Sequence, residues 1–161
     1  MSILASLKNL RGKQLFSLGK VLILQPKFII PTWNATRETI KICDRNFGKE
    51  HHKNTPANAF RHALLNFLIC QKCYEASGSL KKALEWSKRI TDLHEELSPN
   101  RTPERNMDLH NNRIGRKLFE KHIFEALDIQ IVLIEKMKNA MHLDKLEDFS
   151  SQEDTLVYLE K

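Results

Sequence analysis

The sequence has few of the residues that mark the alternatives to an ordinary globular domain. Only five Gly, five Pro and three Cys occur among its 161 residues, which argues against a low-complexity chain and against a disulfide framework. The cysteines are odd in number and no secretory signal precedes them, which favours a reducing compartment. Cys70 and Cys73 form a CxxC within a helical run, and we interpret them as core thiols because no second CxxC accompanies them.

Long hydrophobic runs are also missing. No apolar stretch reaches the roughly 18 residues that a membrane-spanning helix needs, since Lys8, Arg11, Lys13 and Lys20 interrupt the amino-terminal one. No small-residue cleavage site follows that stretch. We therefore predict a cytoplasmic protein whose amphipathic amino-terminal arm docks on its own core or lies peripherally on a membrane.

Several functional signatures are absent. With two Trp and two Tyr, no aromatic platform for stacking single-stranded nucleic acid is visible. The chain contains no Gly-rich phosphate loop, no GxSxG elbow and no Cys–His protease signature. Dedicated single-strand recognition and the enzyme classes marked by these motifs are therefore disfavoured.

Charge is unevenly distributed along the chain and suggests three segments. Residues 1–53 hold ten Lys or Arg against three Asp or Glu, whereas residues 143–161 hold two against six. We divide the chain into a basic arm (1–30), a helical core domain (31–142) and an acidic tail (143–161). The arm could contact an anionic partner such as nucleic acid or a phospholipid surface, although solvated lysines are the simpler reading.

Apolar spacing predicts an all-α fold, namely a single compact domain of four to five helices with a buried polar cluster. A short helix should follow Pro31 and stop at Gly48, and a second should run from Thr55–Pro56 to about Ala76. Two more are expected over 80–97 and from about Arg105 through His142. The carboxyl-terminal "TLVYL" should form a short extended segment. Between the first two helices, His51 and His52 are expected to be solvated.

The predicted helices carry polar side chains on or beside apolar faces. Three segments show this habit: Arg61, His62 and Asn66; His94 and Glu95; and Asp108, His110, Asn111, Asn112 and Arg116. Packed together, these groups would form one interior polar cluster. Gly115 interrupts the last helix at a cost of about 1 kcal/mol relative to Ala, which predicts close approach of a neighbouring backbone or ligand.

Such a cluster suits a divalent metal such as Zn, Mn or Fe. We predict His62, His94 and Asp108 as ligands and Glu95 as general base. Arg61 or Arg116 would stabilise a developing anion. The spacing matches no fixed ligand motif of the HExxH kind.

Two other interpretations remain open. A His–carboxylate pair could act as general base without metal, with Asn111 and Asn112 donating hydrogen bonds to the transition state. Alternatively, the cluster could be a structural network or a binding pocket in a non-catalytic module. The functional hypothesis is a hydrolase of phosphodiester or ester bonds, and the alternative is a helical binding or interaction module.

Three blocks of the sequence resemble a known family. "NTPANAFRHALLNFLIC", "ITDLHEELSPN" and "MDLHNNRIGRKLF" resemble the signature AxxFRHxxxN, HE and MDLxNNxxGR of small bacterial domains of unknown function, including Bacteroidetes members. Leu65 stands where that family often has Trp. The family also occurs at the carboxyl ends of polymorphic-toxin-like proteins, which implies an effector-like enzyme by analogy only.

Overall fold

The computed structural model describes residue 19 and residues 25–98, 102–143 and 153–159. Most of the predicted basic arm and the acidic residues 144–152 lie outside these ranges. Among the described residues, no helix is both long enough and apolar enough to cross a membrane.

The described residues confirm the all-α class. They form five α-helices and two short 3₁₀ turns, Pro26–Phe28 and Glu50–His52. The helices are α1 (Ile29–Phe47), α2 (Pro56–Ser77), α3 (Leu80–Leu97), α4 (Thr102–His122) and α5 (Ile129–Lys138). Helix α2 is central because it packs against each of the other four.

Helix α1 is longer than the sequence indicated. It begins at Ile29 rather than after Pro31, and it spans 19 residues. Pro31 is tolerated there because the first turn of a helix has no intrahelical partner for its N–H groups. The predicted stop is confirmed, since Gly48 ends the helix with a φ of 55°.

Helix α2 begins and ends close to the predicted positions. Pro56 occupies its first turn and Gly78 closes it in the left-handed conformation with a φ of 64°. Thr55 occupies the cap position but makes no side-chain cap bond. Instead, its hydroxyl donates to the Glu50 carbonyl at 2.9 Å, which ties the preceding turn to the start of α2.

Helices α2 and α4 approach very closely at Gly115. A Cβ atom at this position would lie 2.1 Å from the carbonyl oxygen of Ala63. The predicted close approach is therefore confirmed, and the neighbour is backbone. This contact sets the spacing between the two helices that carry most of the polar cluster.

The prediction of one long helix from about Arg105 to His142 was wrong, because two helices occupy this range. Helix α4 begins earlier, at Thr102, and ends at His122, and a separate helix α5 starts after Asp128. The Asp128 carboxylate accepts from the backbone N–H groups of Gln130 at 3.0 Å and Ile131 at 3.4 Å. This cap was the missed signal for a new helix start.

The carboxyl-terminal segment docks as a short strand. Strands β1 (Met141–His142) and β2 (Val157–Tyr158) pair in parallel. Leu156 and Val157 are fully buried, so this part of the acidic tail joins the core.

Candidate active site

Three helices contribute a row of polar side chains to one buried seam. Within each row the residues are four positions apart, which places them on one face of their helix. We call this set the polar seam: His62 and Asn66 on α2; Ser87, Thr91 and Glu95 on α3; Asp108, Asn112 and Arg116 on α4. Sequence reasoning missed Ser87 and Thr91, which the four-residue spacing to Glu95 could have revealed.

His62 lies at one end of the polar seam. Its Nε2 atom is 2.9 Å from an Arg61 guanidinium nitrogen, and its Nδ1 atom is 3.1 Å from Oδ1 of Asn112. Because Arg61 can only donate, we assign the ring proton to Nδ1, which then donates to Asn112. Burial, and then the charge of Arg61, lower the pKa of His62 well below its ordinary value. The imidazole is therefore neutral at pH 7.

Two carboxyl groups meet beside this imidazole. Oδ1 of Asp108 is 3.2 Å from Nε2 of His62, and Oε1 of Glu95 is 3.7 Å from Nδ1. Burial raises the pKa of Glu95 to about 7, against the opposing effects of hydrogen bonds to Asn112 and Asp108 and the charge of Arg61. The hydrogen bond between Glu95 and Asp108 brings the two carboxyl groups into contact, where two full negative charges would repel each other.

Asn66 organises the other end of the seam. Its Oδ1 atom accepts from Arg116 at 2.8 Å, Ser87 at 3.0 Å and Thr91 at 3.1 Å. Its Nδ2 atom donates to Oδ1 of Asn112 at 2.7 Å. Asn112 in turn donates to Glu95 at 3.4 Å, so the two asparagines connect Arg116 to the carboxyl pair.

The residues that could hold a metal at this site differ from the predicted set. His62, Glu95 and Asp108 each offer one ligand atom, and these atoms lie within 4.8 Å of one another. His94 is not in this group, and it is exposed on α3. Glu95 thus occupies the place predicted for His94. Metal binding by any of these residues stays a prediction.

The two arginines have different surroundings. Arg61 is partly exposed; burial lowers its pKa, and the carboxyl groups of Asp108 and Glu95 oppose that shift. Arg116 donates to Asn66 and also approaches the Thr91 hydroxyl at 3.4 Å. The structure therefore brings Arg61, and not Arg116, against the carboxyl pair and His62.

Asn111 contacts a different part of the molecule. Its Nδ2 atom donates to the Val157 carbonyl at 2.8 Å, and the Val157 N–H donates to its Oδ1 atom at 3.0 Å. The neighbouring His110 lies 2.9 Å from the carbonyl oxygen of Thr155 through Nε2. Asn111 holds strand β2, and His110 holds the segment that precedes it. The transition-state role that the sequence suggested for Asn111 and Asn112 stays a prediction.

The cysteines are buried thiols. Cys43, Cys70 and Cys73 are free and buried. Burial raises their pKa values to about 12, 11 and 12 respectively. They are protonated at neutral pH and lie in the core, in agreement with the interpretation of the CxxC as packing.

Comparison with known proteins identifies a family without an assigned activity. No curated protein matches the chain. The family described as "Domain of unknown function (DUF6973)" matches residues 19–143, which include the whole polar seam. The chain belongs to this DUF6973 family of domains of unknown function.

Proposed function

We propose that the domain is a metal-dependent hydrolase of phosphodiester or carboxylic ester bonds. The observation that carries the proposal is the convergence of His62, Glu95 and Asp108 from three helices, with one ligand atom of each within 4.8 Å of the others. Burying two contacting carboxyl groups costs free energy unless a proton, a cation or hydrogen bonds offset it. A divalent ion would offset that cost directly.

The donor set determines which metals suit the site. One imidazole and two carboxylates suit Mn, Fe or Zn. Such an ion supplies two effects: it lowers the pKa of a bound water and polarises the ester oxygen. Asn112, hydrogen-bonded to both His62 and Glu95, would orient both ligands, as outer partners commonly do.

The solvent exposure of the residues indicates from which side a substrate would reach the site. His62, Glu95 and Asp108 are only 2% to 5% exposed, whereas Arg61 is partly exposed and His94 is exposed. On metal binding, Arg61 would give up its hydrogen bond to Nε2 of His62 and bind the anionic group of the substrate with its guanidinium fork. Water adds to phosphorus or to the carbonyl carbon, the bond to the leaving alcohol breaks, and the proton lost by water ends on that alcohol.

The family resemblance is compatible with this activity. The resemblance to domains at the carboxyl ends of polymorphic-toxin-like proteins suggests an effector hydrolase, by analogy only. The basic amino-terminal segment would bind nucleic acid or a phospholipid surface. Binding of nucleic acid through that segment should weaken steeply with added salt.

Hydrolysis of bis(p-nitrophenyl) phosphate and p-nitrophenyl acetate, with and without Mn²⁺ or Zn²⁺, tests the activity. The matched variants are Glu95→Gln in the seam and Glu96→Gln, its exposed neighbour on α3. We expect Glu95→Gln, which removes a metal ligand, to lose roughly 10²-fold in metal-dependent turnover and Glu96→Gln to retain it. Metal-independent turnover, or equal turnover in folded Glu95→Gln, would contradict the proposal.

A second candidate is a non-catalytic helical module in which the seam is architectural. It is favoured by the hydrogen bonding of Asn66, whose side chain is fully buried and contacts Ser87, Thr91, Asn112 and Arg116. Such networks can fix helix register without any reaction. In that case His62→Ala would lower the melting temperature, and the wild type would show neither turnover nor metal binding at the seam.

A further inference from the structure

A second group of metal-ligating side chains lies outside the polar seam, where α1 ends and the chain turns toward α2. Asp44, His51 and His52 each offer one ligand atom, and these atoms lie within 4.8 Å of one another. The sequence predicted two solvated histidines in this loop. That prediction was wrong for His51, whose residue exposure is 0%.

The backbone of this loop holds the three side chains together. Gly48, with its positive φ of 55°, turns the chain at the end of α1 and donates to the Asp44 carbonyl at 3.1 Å. The 3₁₀ turn Glu50–His52 then folds back, and the His52 N–H donates to the Lys49 carbonyl at 3.1 Å. Because the loop is already ordered, a bound ion would cost little conformational entropy.

His51 is incompletely satisfied by the protein. Its Nε2 atom lies 2.9 Å from Oδ1 of Asp44, but its buried Nδ1 atom has no hydrogen-bond partner among the described residues. The atom that faces Asp44 is Nε2, so this nitrogen would be the ligand and Nδ1 would carry the ring proton. The 2.9 Å separation of Nε2 and Oδ1 is close to the roughly 3.0–3.4 Å expected between two ligand atoms that each lie about 2.1 Å from one ion.

The group is open to solvent at Asp44 and His52. The Asp44 side chain is 58% exposed, and the ring of His52 lies with its centroid 3.9 Å from that of His51. Two nearby cations have other partners: Lys53 binds Glu50 at 2.6 Å, and Arg61 binds His62 at 2.9 Å. Arg61 also makes a long contact of 3.5 Å with Nδ1 of His52, which is too weak to hold that ring against a metal.

We propose that Asp44, His51 and His52 form a second site for a divalent transition-metal ion, with Zn²⁺ the best match to two imidazoles and a carboxylate. The fourth position would be taken by water on the exposed side. The site adjoins the polar seam, since Arg61 contacts both His52 and His62. It is independent of the proposed hydrolase centre because the two share no ligand.

Equilibrium dialysis with Zn²⁺ on the full chain tests this site. The informative variants are His52→Ala and Asp44→Asn, both at exposed residues, so loss of folding is not expected. His142→Ala, another exposed histidine, controls for adventitious binding by a surface imidazole. Asp108→Asn removes a proposed ligand of the seam and leaves the second site intact.

We expect His52→Ala and Asp44→Asn to weaken one Zn²⁺ equivalent by about tenfold or more, while His142→Ala and Asp108→Asn retain it. Loss of the Zn²⁺ equivalent in His142→Ala would overturn the proposal. If His52→Ala and Asp44→Asn bind Zn²⁺ as the wild type does, the second site does not exist. A Zn²⁺ equivalent lost only in Asp108→Asn would support the hydrolase centre alone, so the two proposals fail separately.

Discussion

His62 and Asp108 approach within 3.2 Å, although they lie on different helices and both are at least 94% buried at the side chain. The contact depends on the backbone approach of α2 and α4 at Ala63 and Gly115. The close helix pair therefore positions a neutral imidazole against a carboxyl pair. Packing and candidate chemistry are coupled at this point.

Gly115→Ala should destabilise the protein by about 2–3 kcal/mol or more, since the new Cβ would overlap the Ala63 carbonyl oxygen. Urea unfolding measures the change in the free energy of unfolding. Because the clash is with backbone, adding Ala63→Gly should not rescue the variant. A change below about 0.5 kcal/mol would show that the helices separate readily.

Asn66→Ala should lower the free energy of unfolding by about 2–4 kcal/mol, because the donors on Ser87, Thr91 and Arg116 lose their shared acceptor. Asn139→Ala is the control, since Asn139 is exposed and its side chain donates to the Glu135 carbonyl. Chemical denaturation of both variants gives the comparison. Equal, small effects would mean that the Asn66 network contributes little net stability.

Glu95 gives stability a specific pH dependence. Its pKa rises from 4.5 to about 7 on folding, so the folded state binds more protons than the unfolded state between these values. This stability is present below pH 4.5 and is lost as pH rises through 7. Glu95→Gln removes the ionisation, so the stability of wild type relative to this variant should fall by up to about 3 kcal/mol from pH 4.5 to 8.

Denaturation curves of wild type and Glu95→Gln at several pH values measure this difference. The protein is kept metal-free with a chelator. Glu96→Gln, the exposed neighbour, should follow the wild type across the range. A constant difference between wild type and Glu95→Gln would show that burial does not raise the pKa of Glu95.

Asn111→Ala should release strand β2, because both hydrogen bonds to the Val157 backbone are lost. Amide hydrogen exchange should become roughly tenfold faster at Val157, Met141 and Leu143, the last two of which donate to the β2 segment. Turnover per folded molecule should be unchanged. A selective loss of turnover with unchanged exchange would instead restore the catalytic role predicted from the sequence.

The sequence predicted the helices and most residues of the polar cluster. It did not predict which way every side chain points. Gly115 predicted close approach because glycine is costly in a helix without a packing reason. His94 and Glu95 are adjacent on α3, and the apolar stripe alone did not decide which points inward. In the structure Glu95 points inward, on the same face as Ser87 and Thr91. A search for apolar spacing does not detect this face because its residues are polar.

Other features depended on tertiary structure. The break between α4 and α5 follows the Asp128 cap, which competed with an otherwise continuous apolar pattern. The burial of His51 follows from the turn after Gly48. Local propensity could not show that this loop folds back on Asp44.

Metal binding at the seam is the central claim, and calorimetric titration with Mn²⁺ and Zn²⁺ in a His52→Ala background tests it most directly. That background removes the second proposed site. We predict one equivalent bound by the background protein and by its Glu96→Gln variant, and none by Asp108→Asn. No binding to the folded background protein, or equal binding to folded Asp108→Asn, would contradict the claim and leave the seam as a metal-free network.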